Sequence, residues 1–142
     1  MTITVWLLQL RDFEIEVNMK IFNEETPLYL QLRKHIEELI LERKLAEDAS
    51  IPSIRIMARD YNLNPVTVGN ALVSLVDEGV LYKKRGVGIF VAPKARELII
   101  SNRGADFVQS TLEPALRKAR QLDLPKEEIF KLTNAIYGGK DE

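Results

Sequence analysis

The sequence contains no cysteine, which excludes a disulfide framework and any cysteine-ligated metal site. It has one histidine, His35, in a run of helix formers where a solvated or half-buried side chain is expected; a metal site needs several ligands. Neither a metal nor another cofactor is therefore expected. No stretch approaches the ~20 consecutive apolar residues of a membrane span. The N-terminal "MTITVWLLQLRDFEIEVN" has an apolar patch, Val5 to Leu8, but no basic residue before it and no small-residue cleavage site, so it makes a poor signal peptide. A cytoplasmic protein with no membrane partner is the expectation. Internal repeats and low-complexity tracts are also missing, and 142 residues suit one domain, or one small domain with an appendage.

An overall excess of positive charge is missing as well, since the net charge is −1. Taken alone that argues against a nucleic-acid partner, but distribution matters more than the sum. Residues 1–48 hold 6 basic and 10 acidic side chains, residues 49–82 hold 2 and 3, residues 83–103 hold 6 and 1, and residues 104–142 hold 6 and 7. The positive charge is concentrated in one short stretch.

What is present is a series of capped helical patterns. "TPLYLQLRKHIEELILERKL" opens with Thr26 as N-cap and Pro27 in the first turn, where a missing N–H does no harm. Leu28, Leu32, Ile36, Leu39 and Ile40 recur at three and four, predicting a helix that ends near Lys44. Ser53 caps a second, short helix with Ile54, Met57 and Ala58 on its buried side, broken at "YNLN". Asn64 caps a third with Pro65 at its first position; Val68, Ala71, Leu72, Leu75 and Val76 fall on one side and Gly79 closes it. Two short runs, Val80–Tyr82 and Ile89–Val91, then flank "KKRGVG", predicting a β-hairpin with a basic tip. From Lys94 the pattern is helical again. Gly104 weakens that helix, Pro114 should kink or split it, and "DLPKEEIFKLTNAIYGG" forms a last helix with Glu127 and Glu128 favourably placed at its dipole. The expected fold is mainly α with a small β-hairpin.

Two helices joined by a tight turn and followed by a basic, glycine-containing hairpin form the layout of a winged helix-turn-helix, whose second helix enters the major groove. "PLYLQLRKHIEELI", "IPSIRIMARDYNLNPVTVGNALVSLVDEGVL" and "KKRGVGIFV" together resemble the DNA-binding domain of the GntR family of bacterial transcription regulators, over about residues 26 to 91. The short tail most resembles the YtrA-type subfamily, whose C-terminal part is a dimerisation element. The resemblance implies a winged helix-turn-helix DNA-binding domain at residues 19–92, a C-terminal helical dimerisation tail at 93–142, and an extension of uncertain status at 1–18. Where the family usually has proline-glycine before the second helix, Glu47 and Asp48 stand; aspartate tolerates a left-handed backbone better than most residues, so the turn should be kept. Asn70 replaces a usual arginine and Ile89 a usual threonine, which alters the favoured base sequence.

The DNA-facing set read from the sequence is Ser53, Arg55, Asn64, Pro65, Val66, Thr67, Gly69, Asn70, Lys83, Lys84, Arg85, Gly86 and Gly88. Arg55 lies near the start of the second helix, at an end that faces a bound backbone; the plainer reading pairs it with Asp60. The Thr67 hydroxyl and nearby N–H groups attract a phosphate. Val66, Asn70 and Val73 lie opposite the buried side; Asn70 suits an adenine edge and Val66 a thymine methyl, suggesting an A·T-rich half-site. Asp77 further along would repel phosphate. Lys83, Lys84 and Arg85 are wing cations, and Gly86 and Gly88 serve the turn.

In the tail, Leu98, Ile99, Phe107, Val108, Leu112, Leu116, Ile129, Phe130 and Leu132 are more apolar side chain than two helices hide alone; packing against the winged domain can absorb some of it, and packing against a second copy is the preferred reading, because a two-fold dimer matches a palindromic operator. The expected function is thus a homodimeric transcriptional regulator, a repressor, with a double-stranded DNA operator as partner. The alternative is a winged-helix protein-protein assembly module without specific DNA binding. An enzyme is not expected, because no nucleophile–base–orienter set is visible. A small-molecule effector, if one acts, has to sit at the dimer interface or between tail and head.

Overall fold

The computed structural model describes residues 23–139. The extension at 1–18 lies outside them. The described chain runs α1 (Leu28–Leu41), β1 (Ser50–Ile51), α2 (Ile54–Tyr61), α3 (Pro65–Asp77), β2 (Leu81–Lys84), β3 (Gly88–Val91), α4 (Ala95–Phe107), a π-helical turn (Val108–Leu112), α5 (Glu113–Gln121) and α6 (Lys126–Gly138). It forms two compact units, divided between Ser101 and Asn102, which is inside α4 and not ahead of it.

In the first unit, α1, α2 and α3 gather their apolar sides into one core. Leu32, Ile36 and Ile40 come from α1, Met57 and Ala58 from α2, and Val68, Ala71, Leu72 and Leu75 from α3. Val80, Leu81 and Val91 of the hairpin and Ala95 and Ile99 of α4 complete it. Burying side chains of this size stabilises by about 1.5–3 kcal/mol each, which fixes how α3 is rotated about its axis.

The helix ends refine the sequence reading. Thr26 does not cap α1: Pro27 holds that position without a side-chain bond, its carbonyl accepting from the N–H groups of Leu30 and Gln31. The helix stops at Leu41 instead of Lys44, because Arg43 takes a left-handed backbone (φ 61°). Leu28 and Ile54, expected on buried sides, are both exposed, each at the first turn of its helix, beyond the reach of the core. His35, in contrast, is buried and packs edge-on against the Tyr61 ring at 5.7 Å. Burial lowers its pKa, an effect partly opposed by Glu42 and added to by Lys44.

Ser53 and Asn64 do cap their helices. Ser53 Oγ accepts from the Ile56 N–H at 3.3 Å, and Asn64 Oδ1 accepts from the Val66 N–H at 2.8 Å. Asn62, left-handed at φ 52°, ends α2. Gly79, at φ 80°, ends α3 in a Schellman arrangement: Gly79 donates to the Val76 carbonyl and Val80 to that of Leu75, both at 3.0 Å. Asp48 has φ 61°, so the turn that glycine usually makes is retained.

The sheet has three antiparallel strands in the order β1-β3-β2, one more than the hairpin read from sequence. Its register pairs Ser50 with Phe90 and Tyr82 with Phe90 on either side of β3. Strand β1 is two residues long, too short to leave a period-two pattern.

In the second unit, Pro114 does not break the helix. The π-helical turn before it widens the spiral where the proline lacks an N–H, backbone angles at Leu112 and Glu113 remain helical, and Ser110 Oγ donates to the Asp106 carbonyl at 2.6 Å. No residue of this unit is buried among those described, and Phe107, Leu116, Phe130 and Leu132 are all exposed.

Candidate nucleic-acid interface

The turn between α2 and α3 presents the amino end of α3. Pro65 has no N–H, the Val66 N–H is taken by the Asn64 cap, and the Val68 N–H reaches the Asn64 carbonyl at 3.2 Å. Thr67 is thus the first residue whose amide and hydroxyl are open to a phosphate oxygen.

Packing sorts α3 into faces as its 3.6-residue period requires. Val68, Ala71, Leu72 and Leu75 are buried. Val66, Asn70, Val73 and Asp77 are exposed along the opposite side, the face assigned from spacing. Ser74 and Glu78 lie at its flank and anchor it. Arg33 of α1, only 8% exposed, donates from Nη1 to Ser74 Oγ at 2.6 Å and from Nη2 to Glu78 Oε2. Its Nε donates to Glu37 Oε1 at 3.1 Å. The Glu78 bond raises the Arg33 pKa against the opposing effect of burial, so the guanidinium remains a charged clamp between α1 and α3. Sequence periodicity missed this clamp; the only signal was Arg33 and Glu37 standing four apart inside an apolar stripe.

Arg55 is exposed on α2. The expected alternative partner, Asp60, instead accepts from Arg59 Nε at 3.1 Å, and Arg55 makes no ion pair among the described residues. Ser53 and Pro65, at the starts of α2 and α3, are exposed as well. Gly69 lies at the edge of the exposed face, where an added Cβ would meet only Ile54 Cδ1 at 3.8 Å, an ordinary contact.

The wing departs in detail from the sequence reading. Lys83 and Lys84 belong to strand β2, leaving Arg85 as the cation of the turn itself. Alternation along the strand sends the two lysines to opposite faces. Lys84 Nζ sits 5.4 Å from the Phe90 ring centre, and Phe90 stacks on Tyr82 at 5.6 Å. Tyr82 donates its hydroxyl to Asp48 Oδ1 at 2.8 Å, a bond that raises the tyrosine pKa. This aromatic pair stiffens the base of the wing. Gly86 and Gly88 have φ of 77° and 148° with nothing near an added Cβ, so both serve the turn's backbone.

Exposed cations therefore stand on α2 and on the wing, while the exposed side of α3 from Val66 to Val73 has no charged side chain. In the tail, the expected dimerisation residues divide. Ile99 is buried in the core of the first unit and Leu98 packs partly against it, so both support the head. Phe107, Val108, Leu112, Leu116 and Phe130 are exposed and Ile129 is half-buried. Among the described residues no group of three or more metal-ligating side chains converges, and no helix is long and apolar enough to cross a membrane.

Comparison with known proteins identifies residues 28–91 as matching the family model of "Bacterial regulatory proteins, gntR family". The chain is 39% identical over 88 residues to the HTH-type transcriptional regulator YurK of Bacillus subtilis, a match covering 61% of this chain and 36% of that protein. It thus spans about a third of that relative's length. The HTH-type transcriptional repressor YtrA of Bacillus subtilis is 26% identical over 119 residues, which cover 81% of this chain and 91% of the repressor. Among solved structures, a candidate transcriptional regulator of the GntR family from Bacteroides thetaiotaomicron has a TM-score of 0.60 at 33% identity, covering 78% of this chain and 96% of that one.

Proposed function

The chain belongs to the GntR family of bacterial regulatory proteins, with the short-tailed layout of its YtrA type, and from that premise we propose that it binds a palindromic operator as a homodimer and represses transcription. The observation that carries this reading is the composition of the α2–α3–wing surface. A capped helix with an outward-facing side, on which Val66 is 69% exposed, is accompanied by exposed cations on the adjoining elements, Arg55 on α2 and Lys83 and Arg85 on the wing. An exposed apolar helix face costs free energy unless something covers it. Cations on α2 and the wing that make no ion pair among the described residues suit the phosphates bordering a major groove.

In this arrangement Arg55, Thr67, Lys83 and Arg85 hold the sugar-phosphate backbone, which sets register without reading sequence. Asn64 and Ser53 keep the two helix starts in place, and Lys84 supports the wing more than it touches DNA. The tail joins two copies through Phe107, Val108, Leu112, Leu116 and Phe130, so that two heads face two half-sites. The protein acts in the cytoplasm, as a regulator and not as an enzyme.

The test is a titration of labelled duplex carrying the DNA upstream of the protein's own coding sequence, against random duplex, at about 0.15 M salt. The reading predicts binding at least a thousandfold tighter to the former, the lower end of ordinary specificity ratios. Equal binding to both would sink it.

A further inference from the structure

The exposed face of α3 is chemically one-sided. Between Pro65 and Asp77 the helix has no arginine, lysine or histidine. Guanine in the major groove is read by a cation donating to O6 and N7 together, and α3 has no group that can do this. What the face does offer is Val66 and Val73, 69% and 59% exposed, with the exposed Asn70 between them. A carboxamide can accept from adenine N6 and donate to N7 at once, and a valine methyl meets the C5-methyl of thymine.

Neighbouring features extend this bias. The missing Cβ at Gly69 leaves Ile54, 38% exposed, beside the helix face with its Cδ1 only 3.8 Å from where that Cβ would be. The apolar strip therefore continues from α3 onto the start of α2. Glycine is not demanded there by packing, and in a helix interior it is disfavoured. At the far end Asp77, also exposed, repels phosphate and limits contact to the first two turns.

We propose that α3 reads A·T pairs and leaves guanine unread: Asn70 takes one adenine edge in bidentate fashion, and Val66 and Val73 pack on thymine methyl groups to either side of it. This rests on the DNA-binding function proposed above and specifies what that function recognises.

Full-length protein is used to select bound duplexes from a random pool. In the half-site obtained, each thymine is replaced in turn by deoxyuridine, which removes only the methyl group, and each adenine by 7-deazaadenine, which removes only the N7 acceptor. One or more thymines should lose about three- to fourfold in affinity on replacement, the equivalent of one buried methyl group. Val66→Ala or Val73→Ala should abolish that difference. One 7-deazaadenine should weaken binding about five- to a hundredfold, as loss of a bidentate contact does, and Asn70→Ala should bind the substituted and natural duplexes alike. All three residues are exposed, so melting curves of the variants should match the parent. If specific binding persists while deoxyuridine and 7-deazaadenine change nothing, or the positions altered by Asn70→Ala are guanines, the A·T reading is overturned and the DNA-binding function stands. A pool that yields no enriched sequence overturns both.

Discussion

His35 shows how one side chain carries a measurable consequence. It is buried and its pKa is lowered chiefly by that burial, so the unfolded chain takes up a proton more readily than the folded one. Stability is therefore fully present above the unfolded value of about 6.5 and is lost as pH falls from there through the folded pKa. The slope for one proton cannot exceed about 1.4 kcal/mol per pH unit. Chemical denaturation between pH 7.5 and 5 should show this loss, and His35→Gln, which cannot titrate, should flatten it relative to the parent; parallel curves would refute the assignment. Arg33 belongs to the same scale. Its bonds to Ser74, Glu78 and Glu37 occupy a position an apolar residue could fill, and the gain is directional: the clamp fixes the flank of α3 and so the azimuth of Asn70.

The element that matters most is α3, and its sequence is locally inconsistent with its role as a helix. Gly69 in the helix interior is disfavoured by about 1 kcal/mol relative to alanine, and the space beside it accepts a methyl group. Gly69→Ala should therefore raise stability by about 0.5–1 kcal/mol in a thermal melt while weakening operator binding. Higher stability with unchanged binding would mean the glycine has no part in groove approach. Much of this element was legible in the sequence: the Asn64 cap, Pro65 at the first position, the buried set from Val68 to Leu75 and the Gly79 stop all follow from local chemistry, which acts within one turn. What was not legible depends on distant partners. The burial of His35 needs Tyr61 of another helix, and strand β1 exists only because β3 offers it hydrogen bonds. The placing of Ile99 in the head required knowing that the first turns of α4 close its core. The sequence did not sort the expected wing cations, since only the strand register sends Lys83 and Lys84 apart.

For the whole molecule the two units pose different problems. The first has a sealed core; the second has none among its described residues, and apolar side chains such as Leu116 and Phe130 stand exposed. The proposed second copy would cover that surface, and its two-fold symmetry would match the proposed palindromic operator. Sedimentation equilibrium should show a dimer at micromolar concentration, and Leu116→Glu combined with Phe130→Glu should yield monomers that bind a single half-site as well as they bind the full operator. A parent that sediments as a monomer contradicts this.

The central claim, that the α2–α3–wing surface is a sequence-reading DNA interface, is tested most directly by titrating the operator duplex and a scrambled duplex over a series of salt concentrations. Operator binding should be the tighter throughout. The slope of log affinity against log salt should become shallower by about one unit each for Arg55→Ala, Lys83→Ala and Arg85→Ala, and much less for Lys84→Ala. Identical affinities for the two duplexes, with slopes untouched by these substitutions, would contradict the account.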